Sequence, residues 1–580
     1  MYWISGTGPF DVSSSAWGPD HLSKFIVIPA VLKASIAARS LSVCQRRLWS
    51  FIKASDRLEV DLPAIVSMTS RMPLDRERQH HECTEEFCRF NNVNSTWVRQ
   101  LHKCGNKACS ETFFPPAEVE RAVLQNLLTA WTIRQAPEVN CHDGTYMALS
   151  HLWADGTGIG LEKPGKLNRC LIDYFVGIAR RLECDGIWWD TICVPIEPGV
   201  RRKALSMMHK NFERAKCTVV HDESLINYEW RDDGSPCLAL ALSPWFTRCW
   251  TALELYVSTK VVVLFKNPDG KSSQPLLKDL DNDILANDNA YTSLPHRLAS
   301  SVIQRLRRRK RKERLHVEDL LAILRARNTS WATDRMIVAG LMAELPEFDS
   351  GESQSQITRK ILTKCGLIPS SYLLHSHISP NEYGPWSWCP TSLYDLHSDL
   401  ASKNSQLSLK IRHDGTATGD WFCNTLTEEK AKLLQLHNPQ MSVKLRIMKT
   451  MQTPRSCMIL RPWPWLSSEV GNQCLLVETV GLGYDETRSK VIECRYIGTV
   501  TASIHLGWQY VSIRIGLDQG KEEVDAQEMV SACSLEENAG QMLDEGINRV
   551  ISRMRADEFA SIEDVRDLTW ALTGLRDQSL

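Results

Sequence analysis

The sequence predicts an α/β protein whose central part is a parallel sheet flanked by helices. Within residues 139–265, short apolar runs of strand length alternate with segments whose apolar residues recur at helical spacing. Such alternation is typical of βαβ units, which place their strands in parallel. Because 580 residues are too many for one hydrophobic core, we expect three parts. They are a mainly helical, Cys/His-rich region over 1–138, the α/β domain over 139–348 and a β-rich domain over 349–580.

Composition and charge narrow the class of protein. With 43% hydrophobic and 24% charged residues, the chain has the make-up of an ordinary soluble globular protein. Its formal net charge of −1 provides no overall field to attract nucleic acid or an anionic membrane surface. No apolar run approaches the ~20 residues that span a bilayer, and the N-terminus lacks the pattern of a secretory signal. Nineteen cysteines without an export signal indicate reduced thiols, so we expect a cytoplasmic protein.

The α/β domain is predicted from four buried strands and the helices between them. The strands are short, largely apolar runs at 146–152, 187–194, 218–220 and 261–265. The helices are segments with an apolar helical pattern at 167–182, 200–216 and 245–257.

The remainder of the chain is predicted with less detail. The basic run 305–314 is interpreted as a solvated helix face, with a nuclear-localisation or phosphate-binding patch as the alternative. An apolar helix follows within 325–345. The β-rich domain is predicted from strand-like runs at 407–411, 443–448, 474–480 and 490–497.

Polar side chains occur where the first two predicted strands end. Ser150, His151 and Trp153 end the first strand, and Asp190 lies inside the second. Functional residues of open α/β sheets collect at the carboxyl ends of the strands, so these residues are candidates to line a pocket there. Core packing is the alternative for the tryptophan. Neighbouring residues of a strand point to opposite faces, so Ser150 and His151 cannot form a nucleophile–base pair with each other.

A Cys/His-rich patch between residues 80 and 109 is a candidate zinc site. Structural zinc is bound by four thiolate or imidazole ligands in a tetrahedron, supplied as two short knuckles. The ligands predicted for it are Cys83, Cys88, His102 and Cys109. Cys104 or His81 would serve as a substitute ligand. The alternative is a set of reduced thiols near a surface loop.

Two classes of hydrolase are disfavoured by missing motifs. No His-Glu-x-x-His pattern is present, which argues against a zinc-dependent hydrolase. No Gly-x-Ser-x-Gly elbow is present either, which argues against a Ser/His/Asp hydrolase.

Four motifs of the α/β domain resemble a known family. They are YMALSHLW at 146–153, IWWDTICV at 187–194, a helix ending NFERA at 211–215, and WFTRCWTALE at 245–254. In this order and spacing they are similar to the HET (heterokaryon incompatibility) domain of filamentous fungi. The segment NTSWATDR at 328–335 extends the resemblance, because a related Asp-Arg signature follows the core in many HET proteins.

The resemblance implies a candidate catalytic residue. The HET core looks like a distant relative of the Toll/interleukin-1-receptor (TIR) domain, whose matching helix carries a Trp and, four residues on, a Glu. The matching residues here are Trp250 and Glu254. In TIR domains that cleave NAD this glutamate is catalytic, and a carboxylate suits the positive charge that develops as a glycosidic bond breaks. A buried structural carboxylate, paired with Arg248 or a backbone amide, is the alternative.

The resemblance also implies a function. It predicts a TIR-like fold and a protein of fungal nonself recognition that triggers regulated cell death after sensing protein partners, either by cleaving NAD or by assembling into a homo-oligomer. The residues expected to contact NAD are Ser150, Trp153, Asp190 and Trp250. The alternative is a non-catalytic interaction module. What separates the two is whether Glu254 lies open to a cleft with room for a dinucleotide.

Overall fold

The computed structural model describes most of the chain between residues 99 and 533, and five residues that precede it. The five are Cys44, Arg46, Arg47, Cys83 and Cys88. The gaps within 99–533 are 106–108, 134–137, 140–141, 159–163, 270–273, 287–293, 308, 310–314, 326, 347, 397–407, 437–439, 463–472, 503–506 and 519–524. The described residues form two compact units, which divide between Ser353 and Gln354.

The first unit is a mixed α/β structure. Its strands are β1 (Glu111–Phe113), β2 (Trp131–Thr132), β3 (Tyr146–His151), β4 (Lys166–Asn168), β5 (Gly186–Trp189), β6 (Cys217–His221), β7 (Val261–Phe265) and β8 (Leu276–Asp279). Its α-helices are α1 (Pro116–Leu124), α2 (Arg169–Arg181), α3 (Asp190–Cys193), α4 (Pro198–Glu213), α5 (Glu223–Ile226), α6 (Ser235–Leu242), α7 (Cys249–Val257), α8 (Leu294–Arg305), α9 (Val317–Leu324) and α10 (Ala332–Met342).

Six of these strands form one sheet in the order β2-β5-β3-β6-β7-β8. The four inner strands, β5, β3, β6 and β7, are parallel to one another, as the alternation of strands and helices predicted. The two edge strands, β2 and β8, run antiparallel, so the sheet is mixed rather than purely parallel. The parallel arrangement places the carboxyl ends of β3, β5 and β6 at one edge, which is where a site is expected in such a sheet.

Burial explains why the central elements form where they do. Strand β7 is the continuous apolar run VVVLF, and all five residues are buried. Such a run fits a central strand that is covered on both faces, and its valines favour the extended backbone. Eight of the nine residues of helix α7 are buried, and the ninth, Trp250, is half-buried. A helix that is apolar on all sides belongs inside a domain rather than on its surface.

The second predicted strand was too long. The extended segment is Gly186–Trp189, and the chain turns into the short helix α3 at Asp190. The apolar residues after Asp190 continued the hydrophobic run and hid this change, because a short buried helix and a buried strand give the same pattern. The consequence is that Asp190 lies at the carboxyl end of β5 and not inside a strand.

The second unit is rich in β-strands, which confirms the β-rich C-terminal region. Its strands are β9 (Leu367–Pro369), β10 (Ser408–Ile411), β11 (Ala417–Thr425), β12 (Leu434–Gln435), β13 (Cys457–Arg461), β14 (Gln473–Tyr484), β15 (Lys490–Ala502) and β16 (Gln509–Ile515). Its α-helices are α11 (Gln354–Cys365), α12 (Glu428–Lys432), α13 (Met441–Thr450) and α14 (Ala526–Cys533).

Five strands of this unit pair in a closed ring. β11 pairs with β13, β13 with β14, and β14 with β15. β16 then pairs with both β15 and β11 and closes the ring. A closed ring leaves none of its own strands as an open edge, which removes one route to aggregation.

The predicted strand at 443–448 was wrong, because this segment is helix α13. Val443 and Ile447 are buried against the strand core, whereas Leu445 is exposed. A strand would place all three on one face, but a helix separates the middle residue from the other two. The burial of Val443 and Ile447, four residues apart, therefore fits a helix and not a strand.

Three further observations concern the whole described chain. The N-terminal region 1–138 lies mostly outside the described residues, and its described part contains α1 together with β1 and β2. None of the described helices is long and apolar enough to cross a membrane. All cysteines in the described residues are free thiols.

Candidate functional site

Two polar networks start from adjacent residues at the end of β3. Ser150 contacts the helix α7, and His151 contacts the start of α3. The two side chains have different partners because neighbouring strand residues point to opposite faces. As predicted, they do not form a nucleophile–base pair.

The first network joins Ser150, Glu254 and Trp245. The Ser150 hydroxyl donates a hydrogen bond to the Glu254 carboxyl, and the indole Nε1 of Trp245 donates to Ser150 Oγ at 2.6 Å. Glu254 is 8% exposed and Ser150 is 1% exposed. Glu254 is therefore a buried carboxyl whose hydrogen-bond partner is a serine hydroxyl, and not the arginine or backbone amide considered from the sequence.

Burial controls the charge of Glu254. It raises the pKa of this carboxyl to about 8, and the nearby charge of Asp190 acts in the same direction. The hydrogen bond from Ser150 and the positive charge of Arg248 lower the pKa, but less strongly. Glu254 is consequently mostly protonated at neutral pH, and a neutral carboxyl cannot stabilise a developing positive charge as a carboxylate would.

The second network is centred on His151 and Asp190. Nδ1 of His151 lies 2.6 Å from Oγ1 of Thr157, whose hydroxyl donates to the Leu152 carbonyl at 2.7 Å. Since that hydroxyl hydrogen is used, Nδ1 must carry the hydrogen of its bond to Thr157. Nε2 lies 2.7 Å from Asp190 Oδ1, a carboxylate oxygen that needs a donor. His151 therefore connects Thr157 with Asp190 at the carboxyl end of β3.

Asp190 is ionised at neutral pH, whereas Glu254 is mostly protonated. Burial would raise its pKa, but the charge of His151 and hydrogen bonds from His151, Trp153 and Thr191 outweigh it and lower the pKa to about 2. The indole Nε1 of Trp153 donates to Asp190 Oδ2 at 2.8 Å. The side chain of Asp190 is 31% exposed. The residue is thus a carboxylate at neutral pH that remains partly accessible from solvent.

Three further residues hold these networks, and none of them was predicted as a site residue from the sequence. Trp245 and Thr157 contact Ser150 and His151 directly. Asp222, fully buried at the end of β6, accepts hydrogen bonds from the backbone N–H groups of Ser224 and Trp245 at 2.8 and 2.9 Å. Asp222 follows its strand as Asp190 follows β5, so the rule of strand ends would have identified it.

His221 ends β6 beside His151 and is a neutral, buried ring. Neither of its nitrogens has a hydrogen-bond partner among the described residues. Burial, with the charges of Lys103 and His151, lowers its pKa to about 3. Its ring meets Tyr174 and Phe175 edge-on at centroid distances of 6.0 and 5.3 Å. Lys103 Nζ lies 4.6 Å from the Tyr174 ring, so a lysine borders the same edge of the sheet.

Trp250 does not join the network of Glu254. Its indole Nε1 donates to Asp334 Oδ2 at 2.8 Å, and the Thr329 hydroxyl donates to the same oxygen at 3.0 Å. The backbone N–H of Cys249 also donates to the Asn328 carbonyl at 2.8 Å. The segment 328–335 is therefore fixed against the helix that carries Glu254.

One arginine of the basic run stabilises the end of that helix. Arg307 is 2% exposed, and its guanidinium donates to the carbonyls of Leu255 and Ser258 at 2.8 and 2.7 Å. It also forms an ion pair with Asp281 at 2.9 Å. The interpretation of 305–314 as a solvated helix face is wrong for this residue, although part of the run lies outside the described residues.

The predicted zinc ligands belong to two separate clusters. Within each cluster the side chains are close enough to one another to bind a metal ion. Cys83 and Cys88 lie with Cys44, and all three thiols are buried. His102 and Cys109 form a separate group, and its members are His102, Cys104, Cys109 and Cys170. Within each cluster the ligand atoms lie within 4.8 Å of one another. Cys104, considered from the sequence as a substitute, is thus placed with two of the predicted ligands, and Cys170 was not anticipated.

The structure therefore brings some predicted residues together and separates others. Trp153 and Asp190 share a hydrogen bond, Ser150 and Glu254 share another, and Trp250 is bound elsewhere.

Comparison with family models, with curated proteins and with solved structures gives no match for this chain.

Proposed function

We propose that the chain is a HET-domain signalling protein of fungal nonself recognition, which triggers regulated cell death after it senses a protein partner. The observation that supports this proposal is the hydrogen bond between Ser150 and Glu254. These residues belong to the first and last of the four motifs that carry the resemblance, and they meet although 104 residues separate them in the chain. Two of the four motifs therefore meet in one polar contact at the carboxyl end of a parallel strand, which is where the site of such a sheet is expected.

NAD cleavage is the effector activity that we propose for this site. Glu254 would stabilise the positive charge of the breaking glycosidic bond, and the residues that would contact the dinucleotide are Ser150, Trp153, Asp190 and Trp250. In the arrangement described, Glu254 is 8% exposed and its raised pKa keeps it protonated. Cleavage therefore requires that the contact with Ser150 opens and that the carboxyl ionises in solvent.

The burial of Glu254 favours a second candidate, a non-catalytic module that recruits protein partners or assembles into a homo-oligomer. In this case the carboxyl serves only to fix α7 against β3. We place either activity in the cytoplasm, without nucleic acid as a partner. Zinc is the metal proposed for the Cys/His clusters, because thiolate and imidazole are its usual structural ligands.

Measurement of NAD loss by the purified chain tests the proposal, with the protein free or fused to an oligomerising tag. The Glu254→Gln variant keeps an oxygen that accepts the Ser150 hydrogen bond, but its side chain cannot ionise. Glu213→Gln is the matched control, because Glu213 forms a surface ion pair with Arg309. The same three proteins are expressed in a filamentous fungus, and cell viability is scored.

The outcomes separate the two candidates. Loss of NAD and of viability with wild type and the control, but not with Glu254→Gln, supports the enzyme. Loss of viability with all three proteins and without NAD cleavage supports the interaction module. If all three leave both NAD and viability unchanged under forced assembly, the signalling proposal itself is rejected.

A further inference from the structure

We propose that His102, Cys104, Cys109 and Cys170 bind one structural zinc ion. The four candidate ligand atoms lie within 4.8 Å of one another, and they combine three thiols with one imidazole. Three of them come from a short stretch before β1, whereas Cys170 lies in the first turn of α2. The site is independent of the proposed signalling function.

The distances between the ligand atoms fit a tetrahedral zinc site. Zn–S bonds of about 2.3 Å and Zn–N bonds of about 2.1 Å place two sulfurs about 3.8 Å apart and a sulfur and a nitrogen about 3.6 Å apart. Sγ of Cys109 lies 3.6 Å from Sγ of Cys170. Nδ1 of His102 lies 3.3 Å from Cys109 Sγ and 4.0 Å from Cys170 Sγ. Small shifts of these side chains would therefore complete the tetrahedron.

Neighbouring groups support the ligands in the way that is usual around metal ions. The backbone N–H of Lys103 donates to Cys170 Sγ at 3.2 Å, which stabilises a thiolate at this position. The second ring nitrogen of His102 lies 3.3 Å from the side-chain amide of Asn168, a contact that orients the ring. Asn168 directly precedes α2, so the ring and the Cys170 thiol are positioned by the same part of the chain.

Four protein ligands fill the tetrahedron, which makes the site structural rather than catalytic. The ion would fasten the stretch before β1 to the start of α2. Lys103 lies between two of the ligands, and its Nζ is 4.6 Å from the Tyr174 ring. Zinc would therefore also hold this lysine at the edge of the sheet where His151 and His221 end their strands.

The zinc content of the purified full-length chain tests the proposal, with Cys170→Ser compared with Cys365→Ser. Cys365 is a buried thiol in the other compact unit and belongs to neither cluster, so it is the matched control. We expect Cys170→Ser to contain one zinc fewer per chain than wild type and Cys365→Ser. The difference between variants isolates this site, because the cluster of Cys44, Cys83 and Cys88 is unchanged in all three proteins.

A second variant covers the case in which Cys170→Ser fails to fold. His102→Cys keeps four ligands, so it should retain zinc, and after cobalt replacement its absorption should change from that of a three-thiolate site to that of a four-thiolate site. Equal zinc in wild type and folded Cys170→Ser would overturn the proposal. So would identical cobalt spectra for wild type and His102→Cys, stoichiometric iron in place of zinc, or a wild-type protein that binds no zinc at micromolar concentrations.

Discussion

Replacement of Glu254 by glutamine should change how the stability of the first unit depends on pH. Glu254 has an ordinary pKa of 4.5 when unfolded and a pKa raised to about 8 by burial in the folded protein. Between these values the folded state binds a proton that the unfolded state has lost. The free energy of unfolding of the wild type therefore falls as pH rises through this window, whereas glutamine does not titrate.

The magnitude follows from the two pKa values. At about 1.4 kcal/mol per pH unit, the interval between 4.5 and about 8 corresponds to about 5 kcal/mol once Glu254 is fully ionised. About 3 kcal/mol of this loss develops between pH 5 and pH 8. Because Glu254 is 8% exposed, solvent screening reduces the effect only modestly. We therefore expect the free energy of unfolding of Glu254→Gln to rise by about 3 kcal/mol relative to that of wild type between pH 5 and pH 8.

The assay is urea unfolding at pH 5, 6.5 and 8, followed by hydrogen exchange of peptides from α7. Exchange in these peptides separates the transition of the first unit from that of the second. The comparison uses the difference in pH slope, so any constant cost of a buried glutamine cancels. Parallel stability profiles for wild type and Glu254→Gln would contradict the raised pKa, because they would show that Glu254 has an ordinary pKa in the folded protein.

Two further predictions concern other parts of the chain. Asp190 has its pKa lowered from 3.8 to about 2, so it stabilises the folded state above pH 4 and this contribution is lost as pH falls through 2. Between pH 5 and pH 2, the free energy of unfolding of wild type should fall by about 2 kcal/mol more than that of Asp190→Asn, as measured by acid unfolding. Equal falls for the two proteins would contradict the ion pair. In α13, Ile447→Ala should cost about 2–5 kcal/mol in urea unfolding, because the side chain is fully buried. Leu445→Ala, at a residue 58% exposed, should cost under about 1 kcal/mol; equal costs would contradict the helix.

The sequence predicts an element best when its residue types and its apolar pattern favour the same secondary structure. The run 261–265 was predicted with the bounds that the structure gives it, because its three valines favour the extended backbone of a strand. The run 187–194 was predicted too long, because apolar residues continue through the helix that begins at Asp190. The pattern at 443–448 permitted both periods, and only the burial of Ile447 beside an exposed Leu445 distinguishes them.

The directions of neighbouring side chains within a strand were predictable from the sequence. Their contact partners on other strands and helices were not. Alternation along β3 was enough to predict that Ser150 and His151 face different partners. The partners themselves are far away in the chain, since Trp245 follows Ser150 by 95 residues and Cys170 follows Cys109 by 61. Such contacts depend on how the helices pack on the sheet, and no local pattern records that.

The two carboxyl groups that contact the end of β3, those of Asp190 and Glu254, have opposite charge states for a physical reason. Asp190 is paired with His151 and accepts further hydrogen bonds, which lower its pKa, so it stays ionised at neutral pH. Glu254 is buried and accepts its bond from the neutral Ser150 hydroxyl, so it stays protonated. Environments that drive two pKa values apart are typical of sites in which one carboxyl acts as an acid and the other as a base. Any movement that exposes Glu254 would lower its pKa and add a second negative charge to this edge of the sheet. The charge of the site is thereby coupled to the contact between β3 and α7.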